Sequence, residues 1–179
     1  MSIDTGYKTL QEVLERDPEG WAVEFGVYSG YSTGLIAKQM PVIGFDSFEG
    51  LPEDWRKGFP KGKFTTEGMD LPHPPDGNAI LVPGWFEDTV PMFPFPKLGL
   101  VHIDCDLYSS TVTALEGVLS AIGPGTYVVF DEFHGYPGAE HHEAKAWQEF
   151  IDKYHILAET VAYGPEERAF VISHIGVRS

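Results

Sequence analysis

Short apolar runs ending in glycine or acidic residues alternate along this chain with stripes of helical spacing, a pattern that predicts strand–helix–strand units. Trp21 to Tyr28 is almost continuously apolar, broken by Glu24, and leads through Gly26, Ser29, Gly30, Ser32, Thr33 and Gly34 into a helix predicted over Leu35 to Met40. Val42 to Phe45 is a second strand, ending in Asp46, and Ala79 to Val82 reads as a third. Leu100 to Ile103 ends in Asp104, Cys105 and Asp106; Tyr127 to Phe130 ends in Asp131 and Glu132. Between these two runs Val112, Leu115, Leu119 and Ile122 form a helical stripe that Gly123, Pro124 and Gly125 stop. Ser109, Ser110 and Thr111 are expected to cap it, with Thr113 and Glu116 as a capping box. Trp147, Phe150, Ile151 and Tyr154 mark a core-facing helix between Ala139 and Tyr154. Leu157 to Tyr163 and Ala169 to Ser173 flank the turn at Gly164 to Glu167 as a terminal hairpin.

These elements predict a Rossmann-like α/β fold. The sheet is mostly parallel and doubly wound, with an antiparallel last strand and helices on both faces. A single domain over residues 1–179 suits the length, which buries about two-thirds of the unfolded surface. Between Gly50 and Pro83 the composition shifts to Pro, Gly, Lys and the aromatics Trp55, Phe59 and Phe64, so a loop or lid is expected over residues 50–83.

Right-handed crossovers bring the acids of neighbouring parallel strands to one C-terminal edge, where open α/β sheets bind ligands. Carboxylates about 5 Å apart repel, so one must take a proton, turn into water or share a cation. A hard dication such as Mg²⁺ resolves the conflict, and Asp104, Asp131 and Glu132 suffice to hold it with positions left open for substrate. At the other end of the sheet, the glycine-rich turn after the first strand and Asp46 about twenty positions beyond Gly26 match a nucleoside-binding arrangement. Tyr28 stands where the dinucleotide pattern Gly-x-Gly-x-x-Gly has its second glycine, which disfavours NAD. No tyrosine has a lysine four positions later, which removes a short-chain dehydrogenase as well. The alternative function is a non-catalytic S-adenosylmethionine or nucleoside-binding module, which has no need of four carboxylates at two strand ends.

Twelve Lys and Arg against 27 Asp and Glu give a formal net charge of −15, which argues against nucleic acid and against an anionic membrane surface. The single cysteine, Cys105, forms no internal disulfide and reads as filler in a reducing compartment. The acidic start, with Asp4, Glu12, Glu15 and Asp17, lacks a basic region followed by an apolar core, so a cytoplasmic location is expected. His134, two positions after Glu132, is a candidate base or substrate contact. His102, inside a strand, reads as a satisfied core histidine, and His141 and His142 as an exposed helix start.

The runs Val23 to Gly30, Gly44 to Pro52, Gly84 to Thr89 and His102 to Tyr108, followed by Asp131-Glu132, resemble consecutive motifs of the macrocin O-methyltransferase family. The resemblance spans roughly residues 21 to 135. It implies a class I S-adenosylmethionine-dependent enzyme that uses Mg²⁺ to methylate hydroxyls of natural-product sugars. Carried over, it implies that Gly26 and Gly30 line the methionine end of the cofactor, that Asp46 takes the ribose, and that Glu24, Ser29, Ser32 and Asp104 also bind the cofactor. Ser47, Gly84, Trp85 and Phe86 would border adenine, Asp104, Asp131 and Glu132 would hold the metal, and Asp106, with His134 as rival, would be the base. The family more often has Asp at the position of Glu132 and carries a longer N-terminal section. The acceptor implied is a small-molecule hydroxyl, a sugar diol or a catechol, and the arrangement is compatible with a homo-oligomer.

Overall fold

The structure is a computed structural model that describes residues 7–70 and 77–176. Seven strands form one sheet: β1 (Trp21–Phe25), β2 (Val42–Asp46), β3 (Ala79–Pro83), β4 (Leu98–Ile103), β5 (Tyr127–Phe130), β6 (Leu157–Tyr163) and β7 (Arg168–His174). Their order is β3-β2-β1-β4-β5-β7-β6. β3, β2, β1, β4 and β5 pair in parallel, while β7 pairs antiparallel with both β5 and β6. The expected fold class is therefore the observed one. The chain reverses sheet direction between β1–β2 and β4, and the ends of β1, β2, β4 and β5 meet there, the place where such sheets bind ligands.

Alternation along the strands sorts the core into two layers. Val23 and Phe25 of β1, Val101 and Ile103 of β4, and Val128 and Phe130 of β5 face one side with α4 (Tyr108–Val118) and α5 (Glu143–Tyr154). Ala22, Leu100 and Val129 face the other with α1 (Lys8–Leu14) and α2 (Tyr31–Ala37). A one-turn helix, α3 (Phe86–Thr89), follows β3. Each fully buried Phe or Ile in these layers contributes about 1.5–3 kcal/mol, which holds the strand ends against the polar groups they carry.

Several local expectations shift. The helix α1 lies in a stretch where no element was predicted; Leu10, Val13 and Leu14 bury one face of it. α2 begins at Tyr31 rather than Leu35, because Gly30, at φ 79°, turns the chain directly into it. α4 begins at Tyr108, with no side-chain cap at its N-terminus. Ser109, Ser110 and Thr111 thus lie inside the helix, where the Thr111 and Thr113 hydroxyls donate back to the carbonyls of Leu107 and Ser109. α5 starts at Glu143, after a 3-10 turn at Ala139–His141.

Of the expected lid, residues 79–83 are strand β3 and residues 71–76 lie outside those described. Residues 50–70 are a series of turns whose aromatics pack inward. Trp55 meets Phe59, Tyr136 and His142; Phe64 meets Tyr28 and Phe59. Arg56 stacks on Trp55 and Tyr136 and pairs with Glu166 at 3.0 Å. No helix among the described residues is long and apolar enough to cross a membrane.

Candidate active site

Gly26 ends β1 where no side chain fits. Its φ is 96°, and a Cβ there would overlap the backbone of Asp104, the residue that ends neighbouring β4. The turn that follows is pinned by Asp46. One oxygen of its carboxylate accepts the N–H groups of Val27 and Tyr28, both at 2.8 Å, and the other accepts Phe48 N–H at 2.7 Å. Tyr28 itself has φ 46°. The position that the dinucleotide pattern gives to glycine keeps a left-handed backbone here with a tyrosine on it, and the charge-assisted bonds from Asp46 hold that strain. Asp46 thus organises the turn as well as bordering the cavity.

The β4 end is equally constrained. Asp106 has φ 65°, and Leu107 N–H donates to Cys105 C=O across it, closing a three-residue turn. Asp is one of the residues that tolerates this region. The turn sets the Asp106 carboxyl beside those of Asp104 and Glu132. The Asp131 N–H bonds back to Ile103, so β5 delivers Asp131 and Glu132 to the same edge.

One cavity collects these groups. Gly26, Ser29, Ser32, Asp46 and Ser47 line one wall; Trp85 and Phe86 line another; Asp104, Asp106, Asp131 and Glu132 line the floor. Leu51, Pro52 and Phe64 of the 50–70 segment close the rim. Four predicted residues are not among the lining groups. Gly30 caps α2, and Gly84 donates its N–H to the Asp46 carbonyl, so both act on the turn's shape. Glu24 is fully buried beneath the cavity, and His134 sits off it with its Nε2 buried and unpartnered. His141 is exposed as expected, whereas His142 packs against Trp55.

The predicted metal set divides. Ligand atoms of Asp104, Asp106 and Glu132 lie within 4.8 Å of one another, and so do those of His102, Asp104 and Asp131. Asp104 is common to both groups. His102 is not the satisfied core histidine expected: its Nδ1 lies 2.9 Å from Glu24 Oε1, but its Nε2 has no hydrogen-bond partner.

Burial drives the electrostatics. Desolvation raises Asp104, Glu132 and Glu143 well above the ordinary carboxylate range, and neighbouring charges add to it. Desolvation, with Asp131 adding, pushes Asp106 up to about 7, partly offset by Glu132 and the Arg56 guanidinium. Asp131 is raised as well, by burial first. Cys105, buried with its thiol 3.6 Å from the Thr111 hydroxyl, is held as a thiol. Glu132 Oε2 and Glu143 Oε1 are buried without hydrogen-bond partners. Crowded acids with orphaned oxygens suit a hard dication, so the residues fit Mg²⁺.

Two groups were missed. Tyr7, the residue before α1, donates its hydroxyl to Asp104 Oδ2 at 3.0 Å and lines the cavity; burial and the Asp104 charge push its pKa far up, so it stays a neutral phenol. Nothing in the local sequence ties a residue 97 positions away to that acid. Glu143 lies under the cluster and accepts Glu132 N–H at 3.2 Å. Its one signal was its place at the start of a helix just after the acids.

The family model described as Macrocin-O-methyltransferase (TylF) matches residues 75–162. The chain is 40% identical over 155 residues, 69% of its length, to 8-demethyl-8-(2,3-dimethoxy-alpha-L-rhamnosyl)-tetracenomycin-C 4'-O-methyltransferase of Streptomyces olivaceus. It is 25% identical over 150 residues, again 69% of its length, to mycinamicin III 3''-O-methyltransferase of Micromonospora griseorubida. The chain spans only 57% and 59% of the lengths of these two relatives. Among solved structures, the O-methyltransferase NovP superposes with a TM-score of 0.74 over 94% of this chain and 81% of its own, at 24% identity, a likeness of fold. With motifs in the same order, strand-end acids on one cavity floor, the family model matching residues 75–162 and a relative 40% identical over 69% of this chain's length, the chain belongs to the macrocin O-methyltransferase family.

Proposed function

We propose that the protein is a Mg²⁺-dependent O-methyltransferase that moves the methyl of S-adenosylmethionine to a hydroxyl of a natural-product sugar, with a catechol as the other acceptor class. The observation that carries this reading is the cavity itself: one wall is the Gly26–Asp46 turn and its floor is four acids. The two relatives named above are O-methyltransferases, and the name of the first carries a rhamnosyl group, which favours a sugar. A nucleoside-binding module would gain nothing from burying these acids, since each raises the cost of the others.

Bound S-adenosylmethionine would supply a methyl on sulfur, and Asp104, Asp131 and Glu132 would hold a Mg²⁺ whose charge would acidify the acceptor hydroxyl. The chain's own residues do the rest. Gly26, Ser29 and Ser32 receive the amino-acid end at the turn, where backbone can approach closely. Asp46 Oδ1 accepts a single backbone N–H and keeps capacity for a ribose hydroxyl. Ser47, Trp85 and Phe86 flank the base. Asp106, with an acidity near 7, takes the acceptor proton at its carboxylate close to neutral pH, the condition under which a general base works best. Leu51, Pro52 and Phe64 exclude water from the rim.

The test has two arms. Calorimetry with S-adenosylhomocysteine should show binding, and a screen of sugar diols and catechols should give S-adenosylhomocysteine release that EDTA abolishes. Absence of binding sinks the cofactor assignment. Methylation at an undiminished rate in EDTA sinks the metal.

A further inference from the structure

Beneath the cavity floor, Glu24 in β1 and His102 in β4 are register partners on the face covered by α1 and α2, and both are fully buried. Both oxygens of Glu24 are engaged: Oε1 with His102 Nδ1 at 2.9 Å, Oε2 with the Thr33 hydroxyl of α2. A glutamate oxygen facing Nδ1 assigns the proton to that nitrogen, so the lone pair of the neutral ring resides on Nε2. Tyr7 packs edge-on against the ring at 5.9 Å and fixes it further. An acceptor buried without a partner costs about 1–3 kcal/mol. Yet Nε2 has none, although Asp104 and Asp131 stand within ligand reach of this ring.

A carboxylate that holds one ring nitrogen while the other is free and faces acids is the outer arrangement found around metal-bound histidines. We propose that His102 Nε2, Asp104 and Asp131 form a cation position that takes a first-row transition-metal dication of the Co²⁺, Mn²⁺ or Zn²⁺ kind. It offers one nitrogen and two oxygens, and its open side is the cavity, because Asp104 and Asp131 line it. The oxygen-only group Asp104, Asp106 and Glu132 shares Asp104 with it, and the set proposed for Mg²⁺ shares Asp104 and Asp131, so His102 is the donor that sets this position apart. Tyr7 occupies Asp104 Oδ2, which leaves Oδ1 for a cation. Imidazole nitrogen favours these metals, whereas Mg²⁺ prefers oxygen alone, so the His102 position discriminates by donor type. Glu24 acts through His102: it sets the tautomer and holds the orientation of the ring.

The inference does not depend on methyl transfer, and its test is a binding measurement. The full chain, stripped with EDTA, is titrated with Co²⁺ and with Mg²⁺, and its Mn²⁺ complex is examined by pulsed electron paramagnetic resonance for directly bound nitrogen. Co²⁺ should bind at least about tenfold more tightly than Mg²⁺, and Mn²⁺ should show nitrogen coupling. His102→Asn puts an amide donor near the Nδ1 place, keeps the bond to Glu24 and offers no Nε2. It should abolish the nitrogen coupling and the Co²⁺ preference. Glu24→Gln should weaken Co²⁺ about 10–100-fold and serves if His102→Asn does not fold. Lack of nitrogen coupling in the native protein overturns the proposal, as does unchanged coupling and Co²⁺ affinity in a folded variant. S-adenosylhomocysteine binding to the stripped protein, measured alongside, keeps the cofactor reading separate.

Discussion

Replacing Gly26 with alanine tests whether the approach of β1 to β4 builds the site. The added Cβ would lie 1.7 Å from the Asp104 carbonyl oxygen and 2.7 Å from its carbonyl carbon, whereas ordinary contact begins at 3.4 Å, so the carbonyl group must retreat by about 0.7 Å at its carbon and about 1.7 Å at its oxygen. Strain at φ 96° costs about 1–2 kcal/mol, and overpacking against backbone adds about 1–3. Restricting the unfolded chain returns about 0.4–1 kcal/mol. Gly125→Ala is the control: its φ is 91° but nothing lies within 4 Å of its Cβ, so only the strain applies. At about 2–4 °C per kcal/mol for a chain of this size, Gly125→Ala should lower Tm by a few degrees and Gly26→Ala by roughly 5–15 °C. A misplacement approaching 1 Å at Asp104 should also cut turnover about 100-fold. Thermal unfolding with S-adenosylhomocysteine calorimetry reads both effects. Equal Tm losses in the two variants, with native ligand affinity in Gly26→Ala, would refute the argument.

Asp106→Asn keeps a residue that tolerates φ 65° but cannot take a proton, so turnover should fall about 100-fold or more while S-adenosylhomocysteine still binds; loss of binding in calorimetry would assign Asp106 a structural role instead. Asp131→Ala should lower both activity and divalent-cation affinity, and native cation affinity by titration would remove Asp131 from the ligand set. Asp46→Ala should weaken the ligand and also loosen the Val27–Tyr28 turn, seen as faster amide exchange there; weaker binding with a native turn would mean Asp46 contacts ligand alone. With Asp106 at about 7 in the fold and near 3.8 when exposed, the unfolded chain gives up this proton first. This group's contribution to stability is therefore full at acid pH and lost as pH rises through 7. In EDTA the native protein should melt lower at pH 8 than at pH 6, with a shallower difference in Asp106→Asn.

The strands were legible because a parallel sheet buried on both faces demands continuous apolar runs, and the acids marked their ends. Right-handed crossover then sufficed to bring Asp46, Asp104 and Asp131 to one edge. Pairings across long separations were not legible. Glu24 meets His102 only because β1 and β4 align in one register across 78 positions, and a strand shifted by one residue would turn either side chain to the opposite face. The left-handed backbone at Tyr28 was not legible: glycine signals that region by its identity, whereas a tyrosine held there by Asp46 gives no local sign. The hydroxyls of Ser109 to Thr111 were read as caps because the same groups favour helix ends. In the structure Asp106 turns the chain, Leu107 stands at the N-cap, and the helix begins at Tyr108.

The acid floor is costly to the fold, and that cost locates the function. Asp104, Asp106, Asp131, Glu132 and Glu143 are all pushed upward by burial. Arg56 is the cation that lowers Asp106, and it comes from the 50–70 segment rather than from the sheet. A fold selected for stability alone would place apolar residues here, since replacing buried charges by well-packed apolar groups is often neutral or favourable. The cost is borne by rigid neighbours: Val101, Ile103, Val128 and Phe130 directly below the acids are fully buried. Because those strands are packed into the core, they hold the acids together at the strand ends, and under the proposed function their mutual repulsion would favour a bound cation. Stability in the sheet would then serve as preorganisation at its edge, the condition that the proposed methyl transfer requires.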